Sequence, residues 1–206
     1  MYTEILSEQQ KELLPYIAQF KRTFYLVGGT ALALQIGHRQ SIDFDLFTYK
    51  SALKKTPIRQ KLTKIPFSQR LLFEDTDQIH LNINGIKTTF FAYPYLVSHL
   101  EKLDDIITMP SVLELAAMKA FALGRRAKWK DYVDLYFVLK NFYSLQEVTM
   151  KAYHLYGESL FSEKQFRQQL AFHKDINYTE EVEYMSGYFV DEQKIKDFLI
   201  EQALSV

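Results

Sequence analysis

The sequence of 206 residues contains no cysteine, and this absence excludes several classes of protein. Without thiols there is no disulfide framework, no thiolate zinc site and no cysteine nucleophile. An excess of one charge is also lacking, because 25 Lys and Arg residues balance 25 Asp and Glu residues. A chain of zero formal net charge does not bind nucleic acid through bulk positive charge, although a local basic patch remains compatible with this composition.

Long apolar runs are missing as well. No stretch approaches 18 uncharged apolar residues, so we expect no transmembrane helix and no membrane partner. The N-terminal sequence MYTEILSEQQ has no basic segment followed by an apolar one, which argues against a secretory signal and favours a cytoplasmic protein. What the chain does have is 48% hydrophobic and 15% aromatic residues, enough for a sizeable core.

The two halves of the chain show different patterns. Alternating or short apolar segments predict strands near residues 24–27, 42–47, 68–74, 78–83 and 86–92. Asn84-Gly85, between the last two, is a hairpin signal. From about residue 106 the signals are helical instead. We therefore predict an α+β fold, with a mixed β-sheet flanked by helices in residues 1–105 and an α-helical C-terminal lobe, residues 106–206, packed with it as one unit.

Two aspartates and two glycines carry the first chemical signal. Asp43 and Asp45 are two residues apart on a predicted strand, so both point to one face with Cα atoms roughly 6.5–7 Å apart. Such a pair can bind one Mg²⁺, or it can be two solvated acids on an edge strand. Gly28-Gly29 stands between a strand and a helix, where it could cradle a phosphate or form an ordinary tight turn.

A lysine in an apolar helix is the second signal. The predicted helix VLELAAMKAFAL, which starts at Val112, holds Lys119 at its centre. A buried ammonium is costly unless it is paired or functional, whereas a lysine that reaches solvent along its stem needs neither. If the charge is catalytic and costly, Lys119→Met should keep or raise stability. Asp134, among apolar residues of the next helix, could pair with Lys119, bind a metal or cap a loop.

Between these helices, four basic residues occupy six positions. They can hold a triphosphate or an RNA backbone, or they can form a solvated connection. They are Arg125, Arg126, Lys128 and Lys130.

Two segments together resemble a known family. GGTALALQIGHRQSIDFDLF resembles the hG[GS]…Dh[DE]h signature of polymerase-β-like nucleotidyltransferases, and more closely the AbiEii/AbiGii-type abortive-infection toxins. MKAFALGRRAKWKDYVDLYFVL resembles the later K…R…KD..DL motifs of that family. The resemblance runs from about Thr23 to Leu139. It implies a nucleotidyltransferase-like core that transfers a nucleotide from an NTP to an acceptor such as tRNA, acting as the toxin of a type IV toxin–antitoxin system with a separate antitoxin.

The resemblance also implies roles for individual residues. Asp43 and Asp45 would hold Mg²⁺, or Mn²⁺ in its place. Asp45, Lys119 and Asp134 would form the catalytic set. The remaining assignments are nucleotide binding by Gly28, Gly29, Thr30, Lys119 and Arg125, and acceptor binding by Arg126, Lys128 and Lys130.

One departure from the superfamily leaves alternatives open. Many members carry a third carboxylate on a strand after the Asp-x-Asp strand, and residues 86–91 contain none. The chain could therefore be a non-catalytic module that binds nucleotide or a protein. An NTP-dependent protein phosphotransferase would need the same Mg²⁺ and lysine, so the residues do not separate it from nucleotidyl transfer.

Overall fold

The computed structural model describes residues 1–205, and the chain divides into two compact units. The first consists of Met1–Gln35 and Ser41–Ser111, and the second consists of Ile36–Gln40 with the residues from Val112 onward. The predicted organisation, in which the helical part contributes Lys119 and Asp134 to a joint site, stays a prediction.

A five-stranded mixed sheet forms the centre of the first unit. Its strands are β1 (Tyr25–Val27), β2 (Phe44–Thr48), β3 (Gln69–Glu74), β4 (Gln78–Ile83) and β5 (Ile86–Ala92). The order is β1-β2-β5-β4-β3, in which β2 and β5 are parallel and the other neighbours antiparallel. The helices are α1 (Glu8–Ile17), α2 (Gly28–Ile36) and α3 (Lys55–Leu62).

Local sequence signals explain several of these elements. Ser7 and Gln10 form the capping box that starts α1. Asn84 and Gly85 both have positive φ, 54° and 84°, as a tight β4–β5 hairpin turn requires. The sequence pattern missed a separate hairpin of β6 (Glu101–Leu103) and β7 (Ile107–Met109), because three-residue strands are too short to show alternation.

Alternation gives the central sheet two different faces. Phe44 and Leu46 on β2 are buried, whereas Asp45 and Phe47 between them are half-buried. Phe90 of β5 lies on the buried face and contacts aromatic rings from the segment after α1. Those rings are Phe20 and Phe24, with centroids 4.8 Å and 5.2 Å from that of Phe90. The opposite face carries Asp45 and Thr89 next to a pair of aromatic rings, Phe47 and Phe91, whose centroids are 5.0 Å apart.

The second unit is helical. Its helices are α4 (Val112–Leu123), α5 (Trp129–Asn141), α6 (Leu145–Tyr156), α7 (Glu163–Ala171) and α8 (Glu192–Leu204). Ser144 and Glu147 form the capping box of α6, and Ser162 caps α7. Together with the sheet, these helices confirm the predicted α+β class. No helix within residues 1–205 is both long and apolar enough to cross a membrane.

Candidate active site

Gly28 and Asp45 meet at one point of the first unit. Asp45 on β2 is paired with Val27, the last residue of β1, and α2 begins at the next residue. Gly28 has φ +74°, a conformation that favours glycine. A Cβ built at this position would collide with Oδ2 of Asp45. The absence of a side chain at Gly28 therefore leaves space for the carboxylate beside the first turn of α2.

A buried threonine supports Asp43. Thr30 of α2 is 1% exposed, and its hydroxyl lies 2.9 Å from Ser41 Oγ and contacts the backbone carbonyl of Asp43. Gln10 also donates from its amide to the Ser41 carbonyl at 2.8 Å. These bonds hold the segment that precedes β2 in place, and with it the backbone position from which the Asp43 side chain extends. A direct contact between Thr30 and nucleotide stays a prediction.

Three further side chains on the strands near Asp45 were not expected from the sequence, namely Thr89, His80 and Lys87. The register partner of Asp45 on β5 is Thr89, which is paired in turn with His80 on β4. Burial lowers the pKa of His80, and the charge of Lys87 lowers it further, while the charge of Asp45 acts against both. Alternation on either side of the Asn84-Gly85 turn was the signal that could have identified them.

The metal-ligand chemistry of this region rests on two carboxylates. Thr89 stands opposite Asp45, so β5 supplies no third one, as its sequence predicted. Within residues 1–205, no group of three or more His, Cys, Asp or Glu is arranged to hold a metal ion. Mg²⁺ commonly takes one or two carboxylates and completes its shell with water and substrate phosphates. The half-buried pair Asp43 and Asp45, beside the space left by Gly28, fits that requirement.

In the second unit, Lys119 is buried and paired. The residue is 6% exposed, and its Nζ lies 2.8 Å from Asp131 Oδ1 and 2.6 Å from Asp134 Oδ2. Burial alone would lower the pKa of Lys119, but the two carboxylates raise it above its usual value. Of the alternatives open for Asp134, the structure therefore shows the ion pair with Lys119.

Asp134 itself is fully buried and surrounded by donors. Its Oδ1 lies 2.6 Å from His38 Nε2 and accepts from Arg39 Nε at 2.7 Å. Its Oδ2 accepts from Arg39 Nη2 at 2.8 Å, in addition to the ammonium of Lys119. Four contacts occupy the lone pairs of this carboxylate, so in this arrangement it orients Lys119 and Arg39 and has none left for a metal ion.

The cluster has a defined charge state at neutral pH. Burial alone would raise the pKa of Asp134, yet Arg39 and Lys119 lower it well below its usual range. Burial alone would raise the pKa of Asp131, but the charges of Lys119 and Arg126 and the hydrogen bond from Lys119 together lower it. Burial lowers the pKa of His38 in spite of its bond to Asp134. Two carboxylates, two cations and a neutral imidazole therefore share one buried site.

This pairing corrects the stability expected for Lys119→Met. The sequence alone allowed a costly charge whose removal would keep or raise stability. Because Lys119 compensates Asp131 and Asp134, its removal leaves two buried carboxylates with one cation fewer. The variant is therefore expected to be less stable than the wild type.

Three of the four basic residues after α4 make ion pairs. Arg126 Nε lies 3.1 Å from Asp131 Oδ2. Lys128 and Lys130 lie 2.5 Å and 3.3 Å from the carboxylate of Glu180. Their charge is thus partly neutralised within the second unit, and their assignment to the acceptor stays a prediction.

Arg125 differs from these neighbours. It makes no ion pair with any residue that the structure describes, and its guanidinium lies over the ring of Phe121. Its assignment to nucleotide binding stays a prediction too.

Comparison with known proteins places the chain in a family. A sequence profile described as "Nucleotidyl transferase AbiEii toxin, Type IV TA system" matches residues 13–89 and 63–186, which is more than half of the chain. The chain belongs to the AbiEii nucleotidyltransferase toxin family. As an AbiEii-family protein it is a nucleotidyltransferase, in agreement with the resemblance of its two motifs. It is 32% identical over 209 residues to the uncharacterized protein aq_aa25 of Aquifex aeolicus (strain VF5), with 94% of this chain and 98% of that protein covered.

Solved structures share the fold of this AbiEii-family chain. JHP933 from Helicobacter pylori matches with a TM-score of 0.60 at 16% identity, over 96% of this chain and 91% of that one. MenT4, the nucleotidyltransferase toxin Rv2826c from Mycobacterium tuberculosis H37Rv, matches with a TM-score of 0.60 at 13% identity, over 95% and 80%. Identities this low bear on the fold alone, and they confirm the nucleotidyltransferase-like architecture.

The contact between Gly28 and Asp45 predicts unequal costs for two glycine substitutions. Gly28→Ala and Gly85→Ala both place a side chain at positive φ, which costs about 1–2 kcal/mol. At Gly85 nothing lies within 4 Å of the added Cβ, whereas at Gly28 the Asp45 carboxylate must move. Urea unfolding should show the larger loss of stability for Gly28→Ala. Equal losses would contradict the close contact.

The buried cluster predicts a pH-dependent stability. Asp134→Asn removes a negative charge that compensates the buried cations Arg39 and Lys119. It should therefore lower the free energy of unfolding by about 3–5 kcal/mol at pH 7. In the unfolded chain the carboxylate of Asp134 takes up a proton near pH 4, whereas in the folded protein its lowered pKa means that it does so only at lower pH. The stability it provides is therefore present above about pH 4 and is lost as the pH falls.

Urea unfolding of wild type and Asp134→Asn at pH 7, 5 and 3.5 measures this effect. The difference between the two proteins should be largest at pH 7 and shrink at pH 3.5. Asp105→Asn, which alters an exposed aspartate, is the matched control and should unfold like wild type at every pH. A difference that does not change with pH would refute the assigned charge state.

Proposed function

We propose that this nucleotidyltransferase uses Mg²⁺ to transfer a nucleotide from an NTP to an RNA acceptor such as tRNA, with Mn²⁺ as an alternative metal. The proposal includes action in the cytoplasm as the toxin of a type IV system with a cognate antitoxin. The observation that carries it is the Gly28 turn, which leaves space for the Asp45 carboxylate at the start of α2.

In the proposed reaction, the first unit binds the triphosphate. Asp43 and Asp45 would hold Mg²⁺, which when bound offsets phosphate charge and favours in-line displacement at the α-phosphorus. Gly28 and Gly29 carry no side chains that would keep a phosphate away from the backbone N–H groups at the start of α2. Thr30 keeps Asp43 in place through its bond to the Asp43 carbonyl.

The oxygen of the acceptor hydroxyl forms the new bond to the α-phosphorus and releases its proton to solvent, and pyrophosphate leaves with the electron pair of the broken bond. Negative charge grows on the leaving oxygens during this step. We assign Lys119 to these oxygens, since a positioned cation is most effective where charge develops. Asp131 and Asp134 are its positioning residues, because both lie within 2.8 Å of its ammonium.

A non-catalytic nucleotide-binding or protein-interaction module is the second candidate. The observation in its favour is Thr89, which occupies the position opposite Asp45 where a third carboxylate could activate the acceptor. A protein phosphotransferase, which would move the γ-phosphoryl group, uses the same Mg²⁺ and lysine. The two alternatives can be distinguished from nucleotidyl transfer by the molecule, if any, that carries the labelled phosphate after the reaction.

The deciding experiment incubates the protein with each α-labelled NTP, Mg²⁺ and total tRNA. We expect labelled RNA with wild type and none with Asp45→Asn, whose side chain has lost the charge that holds the metal. A parallel reaction with γ-labelled ATP should label no protein. Label that enters protein from the γ position, but not RNA from the α position, would establish the phosphotransferase instead.

NTP binding by the Asp43→Asn/Asp45→Asn double variant controls for the location of the site. Titration with Mg²⁺ should enhance NTP binding to wild type and to Asp105→Asn, but not to the double variant. Circular dichroism should show that the double variant remains folded. Unchanged Mg²⁺-dependent binding would place the site elsewhere in the chain.

Lys119→Met should lower transfer by about 100-fold or more, because removal of a donor aimed at developing charge typically costs about 3 kcal/mol. The same variant should melt at a lower temperature, so turnover is measured well below its melting temperature. Lys119→Arg, which keeps a positive charge, serves as the comparison. A folded Lys119→Met protein with turnover within a few-fold of wild type would end the catalytic assignment.

A further inference from the structure

Three planar side chains of the second unit form one column. The rings of Phe121 and Tyr156 are 3.8 Å apart between centroids and 9° from parallel. The guanidinium carbon of Arg125 lies 3.6 Å from the centroid of the same Phe121 ring. Two groups at these distances cannot share one face of a ring. Phe121 therefore lies between Arg125 and Tyr156.

The column runs from the interior to the surface. Tyr156 and Phe121 are 5% and 9% exposed, whereas Arg125 is exposed. Arg125 Nη1 donates to the Phe121 carbonyl at 3.0 Å, which holds the guanidinium near the end of α4. With its inner face against a ring, the guanidinium offers another ligand its outer face and its remaining N–H edge.

A cavity adjoins this column at Arg125 and Phe121. Its volume is about 200 Å³, and Arg125 and Phe121 contribute to its lining. Leu160 and Phe161 supply apolar surface, and Gln165 supplies an amide that can both donate and accept hydrogen bonds. Ser162 also lines it, so the cavity combines a planar cation, apolar side chains and two uncharged polar groups.

This combination selects a particular class of ligand. A cation would be repelled by Arg125, and a phosphate prefers the N–H edge of a guanidinium to its face. A flat, uncharged heterocycle can stack on the guanidinium plane and contact apolar walls. Unpaired bases of RNA commonly bind in this way, on aromatic rings or on arginine planes.

We propose that Arg125, Phe121 and Tyr156 form a stacking platform for an unpaired base of the acceptor RNA, with the base in the adjoining cavity and Gln165 at its edge. This inference rests on the proposed function in one respect, namely that the acceptor is RNA. It changes the role of Arg125 from binding NTP to recognising the acceptor.

The test compares binding of two fluorescently labelled single strands of eight units, oligo(A) and an abasic RNA strand of equal charge. Wild type should bind oligo(A) more tightly. Arg125→Lys keeps the charge but removes the plane, so it should weaken oligo(A) binding about tenfold and leave abasic binding within twofold. Because charge is unchanged, the salt dependence should be the same in both proteins.

Arg126→Lys is the matched control. Arg126 is a neighbouring guanidinium that pairs with Asp131, so its replacement should change the binding of both strands in equal proportion. A purely structural role of Arg125 in capping α4 would likewise affect both strands equally and would overturn the proposal. A loss confined to NTP binding, with RNA binding unchanged, would overturn it as well.

Transfer assays separate this inference from the proposed function. If wild type labels tRNA but binds oligo(A) and the abasic strand equally, only the platform is refuted. If wild type neither labels RNA nor binds either strand, the RNA acceptor and the platform are refuted together.

Discussion

The buried carboxylate of Asp134 is the interaction on which the arrangement of the second unit depends. Its partners come from distant parts of the chain, since Arg39 and His38 precede it by 95 and 96 residues and Lys119 lies on the preceding helix. A buried charge is tolerated only when its partners are all in place, so the cluster specifies how these segments meet. Its contribution is a defined arrangement more than net stability, because desolvation of the charges offsets much of their attraction.

Two aspartates of similar sequence context have acquired different chemical capacities. Asp45 is half-buried and its carboxylate lies against the glycine that starts α2, whereas Asp134 is enclosed and its oxygens are occupied. The first can exchange ligands, and the second can only hold its neighbours in place. Burial, rather than residue type, decides which carboxylate is available for a reaction.

The predictable features were those encoded over a few neighbouring residues. Alternation placed Asp45 on a strand, although Asp43, predicted on the same strand, lies just before β2. Capping residues marked the starts of α1 and α6, and Asn84-Gly85 marked the β4–β5 turn. Among the partners of charged residues, the pair of Lys119 with Asp134 on the next helix was one of the alternatives expected from the sequence. The pairs of Arg39 with Asp134 and of Lys128 with Glu180 were not predictable, because they form only through the tertiary fold. A local pattern carries no information about a contact between residues 95 apart. For the same reason the sequence did not predict that Phe121 stacks on Tyr156, which belongs to a different helix.

The five residues Ile36–Gln40 make the second unit discontinuous in sequence. A gene truncation before Val112 would remove Arg39 and His38 and leave Asp134 with Lys119 as its remaining cation. Such a C-terminal fragment could not inherit the packing it has in the intact chain. Recombination between related genes faces the same restriction, since a crossover between the two regions would keep the ion pair only if one gene encodes the arginine and the other the aspartate. The two units are therefore expected to be inherited together, as one genetic block.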